Sequence, residues 1–139
     1  MSIEEENKAR QHRVFEEALN MGNMAVVDEV IDTNYVSESP QGMVKGTEAM
    51  KQGFANLRSA FPDITFTVED MIAKEDKVVS RITCKGTHNG EFMGIAPTGK
   101  KMNINGIIIT RWVDGKEVEA WEVIDMLGML QQLGAIPSQ

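Results

Sequence analysis

Asp114-Gly115 stands between two long runs of strand-forming residues. No other pair constrains the fold as much, because both positions suit the positive φ angles of a two-residue hairpin turn. Met102 to Val113 reads as a long strand, with Glu117 to Asp125 as its partner. Upstream, Ile64, Phe66 and Val68 alternate with Thr65, Thr67 and Glu69, the period of two of a half-buried strand. Lys74-Glu75-Asp76 reads as a turn into a strand over Val78 to Thr87. His88-Asn89-Gly90 breaks or bulges that strand, and Gly94 to Lys101 is a Gly/Pro loop. Gly86, Gly90 and Gly106 interrupt strand patterns, which predicts bulges and a strongly curved sheet.

The first half has a helical period instead. Residues 4 to 21 carry Val14, Ala18 and Met21 on one face, with Phe15 and Leu19 beside them, and Gly22 suits the position after a helix end. Asn23 is placed to cap a short second helix with Val26, Val27, Val30 and Ile31 as its apolar side. Thr33 to Met43 reads as a loop or a short edge strand. Thr47 is expected to cap a third helix with the stripe Met50, Phe54, Leu57 and Phe61, closed by Pro62. Leu127 to Leu133 reads as a terminal turn or helix stopped by Gly134. Helices first and strands afterwards predict an α+β fold, a curved antiparallel sheet closed by N-terminal helices, in a single domain over 1–139. Such a sheet leaves a concave space for a small ligand.

Composition narrows the partners. The net charge of −7 argues against nucleic acid, because phosphate binding needs clustered Lys and Arg. No apolar run is long enough to span a bilayer, and the acidic start Met1-Ser2-Ile3-Glu4-Glu5-Glu6 is unlike a secretory signal, so cytoplasm is the expected location. The single cysteine, Cys84, excludes an internal disulfide and reads as a small buried hydrophobe. His12, His88 and Cys84 do not make a metal site without carboxylates from elsewhere, and none is expected.

Hydrolase, phosphate-loop and dinucleotide motifs are absent. The last strand draws attention because Trp121, Val123 and Asp125 are spaced by two and so share a face. A carboxylate beside Trp and Val would be desolvated, which raises its pKa and suits proton exchange near neutral pH. Spacing leaves a second reading equally open, in which Asp125 caps a terminal helical turn beginning near Met126. Arg81 and Arg111 lie in strand patterns, where a charge must pair or face solvent, and either is a candidate to bind an oxyanion or hold Asp125. His88 is a candidate second acid/base or a bulge residue bonded to backbone. Phe54, Phe92 and Met93 are candidate pocket walls.

The stretch Gly86-Thr87-His88-Asn89-Gly90-Glu91-Phe92-Met93-Gly94-Ile95-Ala96-Pro97-Thr98-Gly99-Lys100 resembles the "GTHxGxFxGIxPTGK" segment of SnoaL-like polyketide cyclases, also called ester cyclases. Phe61-Pro62-Asp63, Asp76 to Arg81, Arg111, Asp114-Gly115-Lys116, Glu119-Ala120-Trp121, Asp125 and Gln131-Gln132-Leu133-Gly134 follow that family's order across nearly the whole chain. The resemblance implies the nuclear-transport-factor-two-like and ketosteroid-isomerase-like fold, a cone (an α+β barrel) that pairs through its sheet as a homodimer. It also implies aldol ring closure of a polyketide ester without metal or cofactor, with Asp125 as acid/base. The chain departs from the family's pattern at Glu38, where a histidine is frequent, and on the strand before the hairpin, where Arg111 is the only basic residue.

The expectation is therefore a cofactor-independent cyclase-like or isomerase-like enzyme for a small apolar carbonyl compound. Asp125 and His88 would be its catalytic groups, and Trp121, Arg111, Arg81, Phe92, Met93 and Phe54 its ligand contacts. The rival readings are a non-catalytic binding or dimerisation module on the same fold, and a small ester or epoxide hydrolase.

Overall fold

A computed structural model describes residues 1–137. Helix α1 spans Ile3–Arg13, with Ser2 accepting the Glu5 N–H at its start and Glu4, Glu5 and Glu6 in the first turn, where the helix dipole favours them. The expected single helix over 4 to 21 continues, but as a π-helical stretch over Val14–Asn20, in which Met21 N–H reaches the Glu16 carbonyl. This wider turn buries Val14, Phe15, Ala18 and Leu19 together. Its end is tied down from two sides. Asn20 exchanges two hydrogen bonds with the Phe66 backbone, and Arg58 donates to the carbonyls of Leu19 and Asn20. Helix α2 is Ala25–Val30, whose first N–H is accepted by Asn23 Oδ1 at 3.2 Å. Helix α3 is Thr47–Ala60; Gly46, at φ 84°, precedes it, so Thr47 is its first residue and not its cap.

The strands are β1 Ile31–Ser39, β2 Gly42–Lys45, β3 Thr65–Lys74, β4 Lys77–Thr87, β5 Lys101–Val113 and β6 Lys116–Ile124, followed by helix α4 Met126–Gln132. They form one curved, unclosed six-stranded sheet in the order β2-β1-β6-β5-β4-β3. Two features differ from expectation. The segment read as a loop or a short edge strand is largely the nine-residue strand β1, which lies inside the sheet between β2 and β6 and runs parallel to β6, so the sheet is mixed. The bulges also fall elsewhere, at the shifts between Val68 and Asp70 on β3 and between Arg111 and Trp112 against β6. The glycines instead allow close approach. A Cβ at Gly106 would enter the space of Ile124, and one at Gly90 would enter that of the Ser59 carbonyl oxygen. The Asp114-Gly115 turn is as expected, with φ of 48° and 79°.

The inner face of the sheet packs on the helices in two clusters. One joins Phe15, Phe61, Phe66, Ile82, Ile104 and Leu133 toward α4. The other joins Val14, Val27, Tyr35, Val78, Trp112 and Ala120 toward the β5–β6 hairpin. Because backbone oxygen at Ser59 cannot yield, Gly90→Ala should cost about 1–3 kcal/mol by overpacking. Chemical denaturation would read this as a lower midpoint with an unchanged slope; an unchanged midpoint would mean that the 88–90 segment does not press on α3.

Candidate active site

Between the two clusters lies a cavity of about 290 Å³, close to the lower end of the usual range for small-molecule sites. Its walls are mostly apolar and come from α1, the π-helical stretch, α3, α4 and the inner face of the sheet. Phe15, Phe54, Phe92, Ile108 and Met129 form much of it. The polar lining consists of Gln11, Tyr35, Ser37, Thr110, Glu117 and Glu122. Among the described lining residues there is no Lys, Arg or His.

Strand β6 supplies both carboxyl groups. Glu122 shares a face with Ala120 and Ile124, all three lining the cavity. Glu117 reaches the same side only because the register shifts: Arg111 pairs Glu119, but Trp112 pairs Glu117, so Val118 is an extra residue. Glu117 is 3 % exposed. Burial pushes its carboxyl up to about 8, opposed in part by a hydrogen bond from Tyr35. Burial also raises Glu122 above the usual carboxylate range. The Tyr35 hydroxyl is raised by burial and then by the charge of Glu117. Burial pushes the Cys84 thiol up to about 12, which keeps it an inert wall residue.

The structure brings only Phe54 and Phe92 of the expected set into this cavity. Trp121, Val123 and Asp125 do share a face, but it is the outer one. Asp125 is exposed, accepts the Gly128 N–H at 2.9 Å as the N-cap of α4, and lies in a shallow outer groove with Arg81 and Val123. Of the two readings that spacing left open for Asp125, the cap is the geometry seen. Arg81 pairs with Asp70 at 2.7 Å, and Arg111 with Glu119 at 2.6 Å, both on the outer face. Glu38 is exposed opposite Trp121, while its neighbour Ser37 points inward. Met93 is 60 % exposed and does not line the cavity.

His88 is fully buried against Phe61, with Nδ1 accepting the Thr98 N–H and 3.0 Å from its hydroxyl. Its backbone bonds Lys100 and Gly99. It therefore pins the 88–100 loop that carries Phe92, and does not itself line the cavity. Among the described residues, no group of three or more His, Cys, Asp and Glu is placed to hold a metal ion.

Sequence reasoning missed Glu117 and Glu122. The only available signal was that Glu122 has the opposite parity to Trp121, and nothing local chose which parity faces inward.

A curved sheet closed by helices over an apolar, acid-bearing cavity defines a nuclear-transport-factor-two-like cone. The same architecture is found in a protein from Jannaschia sp. CCS1 provisionally described as a SnoaL-like polyketide cyclase: TM-score 0.91, 25% identity, covering 99% of this chain and 97% of that one. AclR from Streptomyces galilaeus, provisionally described as a hydroxylase, matches with TM-score 0.87 and 34% identity over 98% of this chain and 85% of its own. The nogalonic acid methyl ester cyclase of Streptomyces nogalater is 28% identical over 120 residues, covering 84% of this chain and 90% of that protein. The family model for SnoaL-like polyketide cyclase matches residues 9–133, and the chain belongs to that family. No helix among the described residues is long and apolar enough to cross a membrane.

The buried acid has a thermodynamic signature. Glu117 rises from 4.5 to about 8, so between those values the native state holds a proton that the unfolded chain has lost. Stability should then fall as pH rises through that window, by at most about 1.4 kcal/mol per pH unit from this group. Glu122 adds the same sign. Glu117→Gln should flatten the decline between pH 5 and pH 8 in urea unfolding. Equal slopes in variant and parent would mean that Glu117 is ionised in the native state.

Proposed function

We propose that the protein is a cofactor-independent cyclase-type enzyme, which removes a proton from carbon next to a carbonyl in a small, neutral, apolar substrate. The observation that carries this reading is Glu122, a desolvated carboxyl group in the wall of an apolar cavity whose described lining holds no cation. A carboxylate of raised pKa is a stronger base and a better matched proton carrier near neutral pH. The kinship with the S. nogalater cyclase supports ring closure as the outcome.

In the balanced sequence Glu122 takes the α-proton, the enolate carbon attacks a second carbonyl carbon of the same molecule, and that oxygen receives a proton from the Glu122 acid. The product is an isomer of the substrate, so no oxidant or reductant is consumed. The apolar walls supply the remaining advantage by holding the chain bent for attack. Two carboxyl groups without a cation disfavour a free acid and suit an ester or ketone.

The acid/base expected on the last strand is thus assigned to Glu122 in place of Asp125, three residues away on the opposite face. Glu122→Gln should lower turnover of nogalonic acid methyl ester, or α-proton exchange of a β-keto ester in deuterium oxide, by roughly 10²–10⁴-fold. Binding should be largely kept. Asp125→Asn should leave both rates within about twofold, and Asp125→Ala should cost only about 1 kcal/mol of stability as a lost cap. If instead Asp125→Asn stops exchange and Glu122→Gln does not, the assignment within the strand is reversed. Binding with no exchange in the parent protein would favour the binding-module reading.

The outer face supports a homodimer through the sheet. Ile107 pairs Val123 and Ile109 pairs Trp121 there, and Ile107 and Val123 are 50 % and 63 % exposed. Light scattering should give a dimer that Val123→Lys converts to a monomer; a monomeric parent protein would remove this assembly.

A further inference from the structure

The hairpin end of the cavity holds more polar chemistry than proton abstraction at carbon requires. Tyr35 and Ser37 of β1, Thr110 of β5, Glu117 of β6 and Gln11 of α1 all line it. Gln11 belongs to this end because its neighbour Arg10 packs over Gly115 in the hairpin turn. Thr110 has no donor to spare: its hydroxyl accepts the Trp112 Nε1–H at 2.8 Å and donates to the Val78 carbonyl. Gln11 is different. It is 2 % exposed, and its Oε1 has no hydrogen-bond partner. A buried acceptor left unpaired costs free energy until something donates to it.

Glu117 offers the complementary group. No cation is available to it, because Lys116 donates to the Glu29 carbonyl at 2.6 Å, Arg111 binds Glu119, and Arg10 binds Asn7. Among the described residues, the other titratable groups facing it are Tyr35 and Glu122, neither of which supplies positive charge. A buried carboxyl group without a cation is retained as the neutral acid, and a neutral acid is a hydrogen-bond donor. Tyr35 is near enough to Glu117 to influence its acidity, and Ser37 adjoins Tyr35 in the same wall. The hydroxyls of Tyr35 and Ser37 and the carboxyl group of Glu117 thus form one polar end of the cavity wall.

We propose that the hairpin end of the cavity is a recognition site for an un-ionised ketone, enol or phenol oxygen, to which Glu117 donates its acid proton while Gln11 accepts the ligand's own O–H where there is one. This deepens the cyclase reading and rests on it for the catalytic consequence: the same oxygen carries the enolate charge, so Glu117 and Tyr35 are positioned to stabilise it while Glu122 takes the proton. Glu117 and Glu122 project into the cavity from one strand, two side-chain repeats apart. A ligand several bonds long meets both.

The test is equilibrium binding, which needs no turnover. The probes are 2-acetonaphthone and 2-ethylnaphthalene, alike in shape but with and without the oxygen. At pH 6 the ketone should bind the parent protein about tenfold more tightly than the hydrocarbon, the worth of one hydrogen bond. Glu117→Leu should remove that preference. Above about pH 8, where Glu117 ionises, the ketone's affinity should fall steeply in the parent protein. It should also fall in Glu122→Gln, which removes the other titrating carboxyl group. In Glu117→Gln, whose amide still donates, it should stay constant with pH, and this arm serves if the leucine variant does not fold. Equal binding of ketone and hydrocarbon by the parent protein, or a pH decline that survives in Glu117→Gln, would overturn the proposal. Loss of catalysis in Glu122→Gln with the ketone preference intact bears on the base alone, so the two readings fail separately.

Discussion

The site depends on the extra residue in β6. On a regular strand Glu117 would have the parity of Glu119 and Trp121 and would face outward. The shift against Arg111 and Trp112 turns it inward and sets it opposite Trp112, which is 2 % exposed and closes that end of the core. Bulges re-aim side chains in this way without ending a strand. Here the effect is to put two carboxyl groups on one side of one strand, inside a cavity that the helices close.

Charge is then partitioned by face. Arginines and lysines are paired at the surface, as with Arg111 and Glu119 and Arg81 and Asp70 on the sheet, and Lys51 and Asp28 on the helices. Such exposed pairs contribute little, typically 0–1 kcal/mol. Their consequence lies in what they withhold, since none of these cations reaches Glu117 or Glu122. Desolvation is therefore the dominant influence on both interior acids, and it moves them toward the neutral range where proton transfer is useful. A single inward-facing lysine would reverse that.

Local chemistry made much of the fold legible. The Asp114-Gly115 turn, the alternation at Ile64 to Glu69 and the stripe of α3 each follow from neighbouring residues, and each appears in the structure, whereas of the first helical stripe Val14 and Ala18 are buried in the π-helical stretch and Met21 is exposed. Strand β1 was harder to read because Asp32, Thr33 and Asn34 interrupt it and its long-range partner, β6, lies far along the chain. The site was harder still. Both faces of β6 are mixed: Trp121 and Val123 on one, Ala120 and Ile124 on the other. The outer face has apolar neighbours of its own in Ile107 and Ile109, so hydrophobicity could not say which side was in. A one-residue choice of parity moves every side chain to the other face, and it exchanged Asp125 for Glu122.

Strand parity also limits what kinship says about reaction. A protein provisionally described as a cyclase and one provisionally described as a hydroxylase share this sheet with the present chain at about one-quarter to one-third identity. The ladder of backbone bonds does not depend on what projects from it. The chemistry depends on a few inward positions of β5 and β6, here Ile108 and Thr110 facing Ala120, Glu117 and Glu122. Replacing one of these leaves the hydrogen-bonded sheet intact but adds or removes an acid, a base or a donor at the substrate. Function in this fold is therefore set at the cavity wall. In this chain the wall pairs an apolar body with two carboxyl groups that no cation of the described lining compensates.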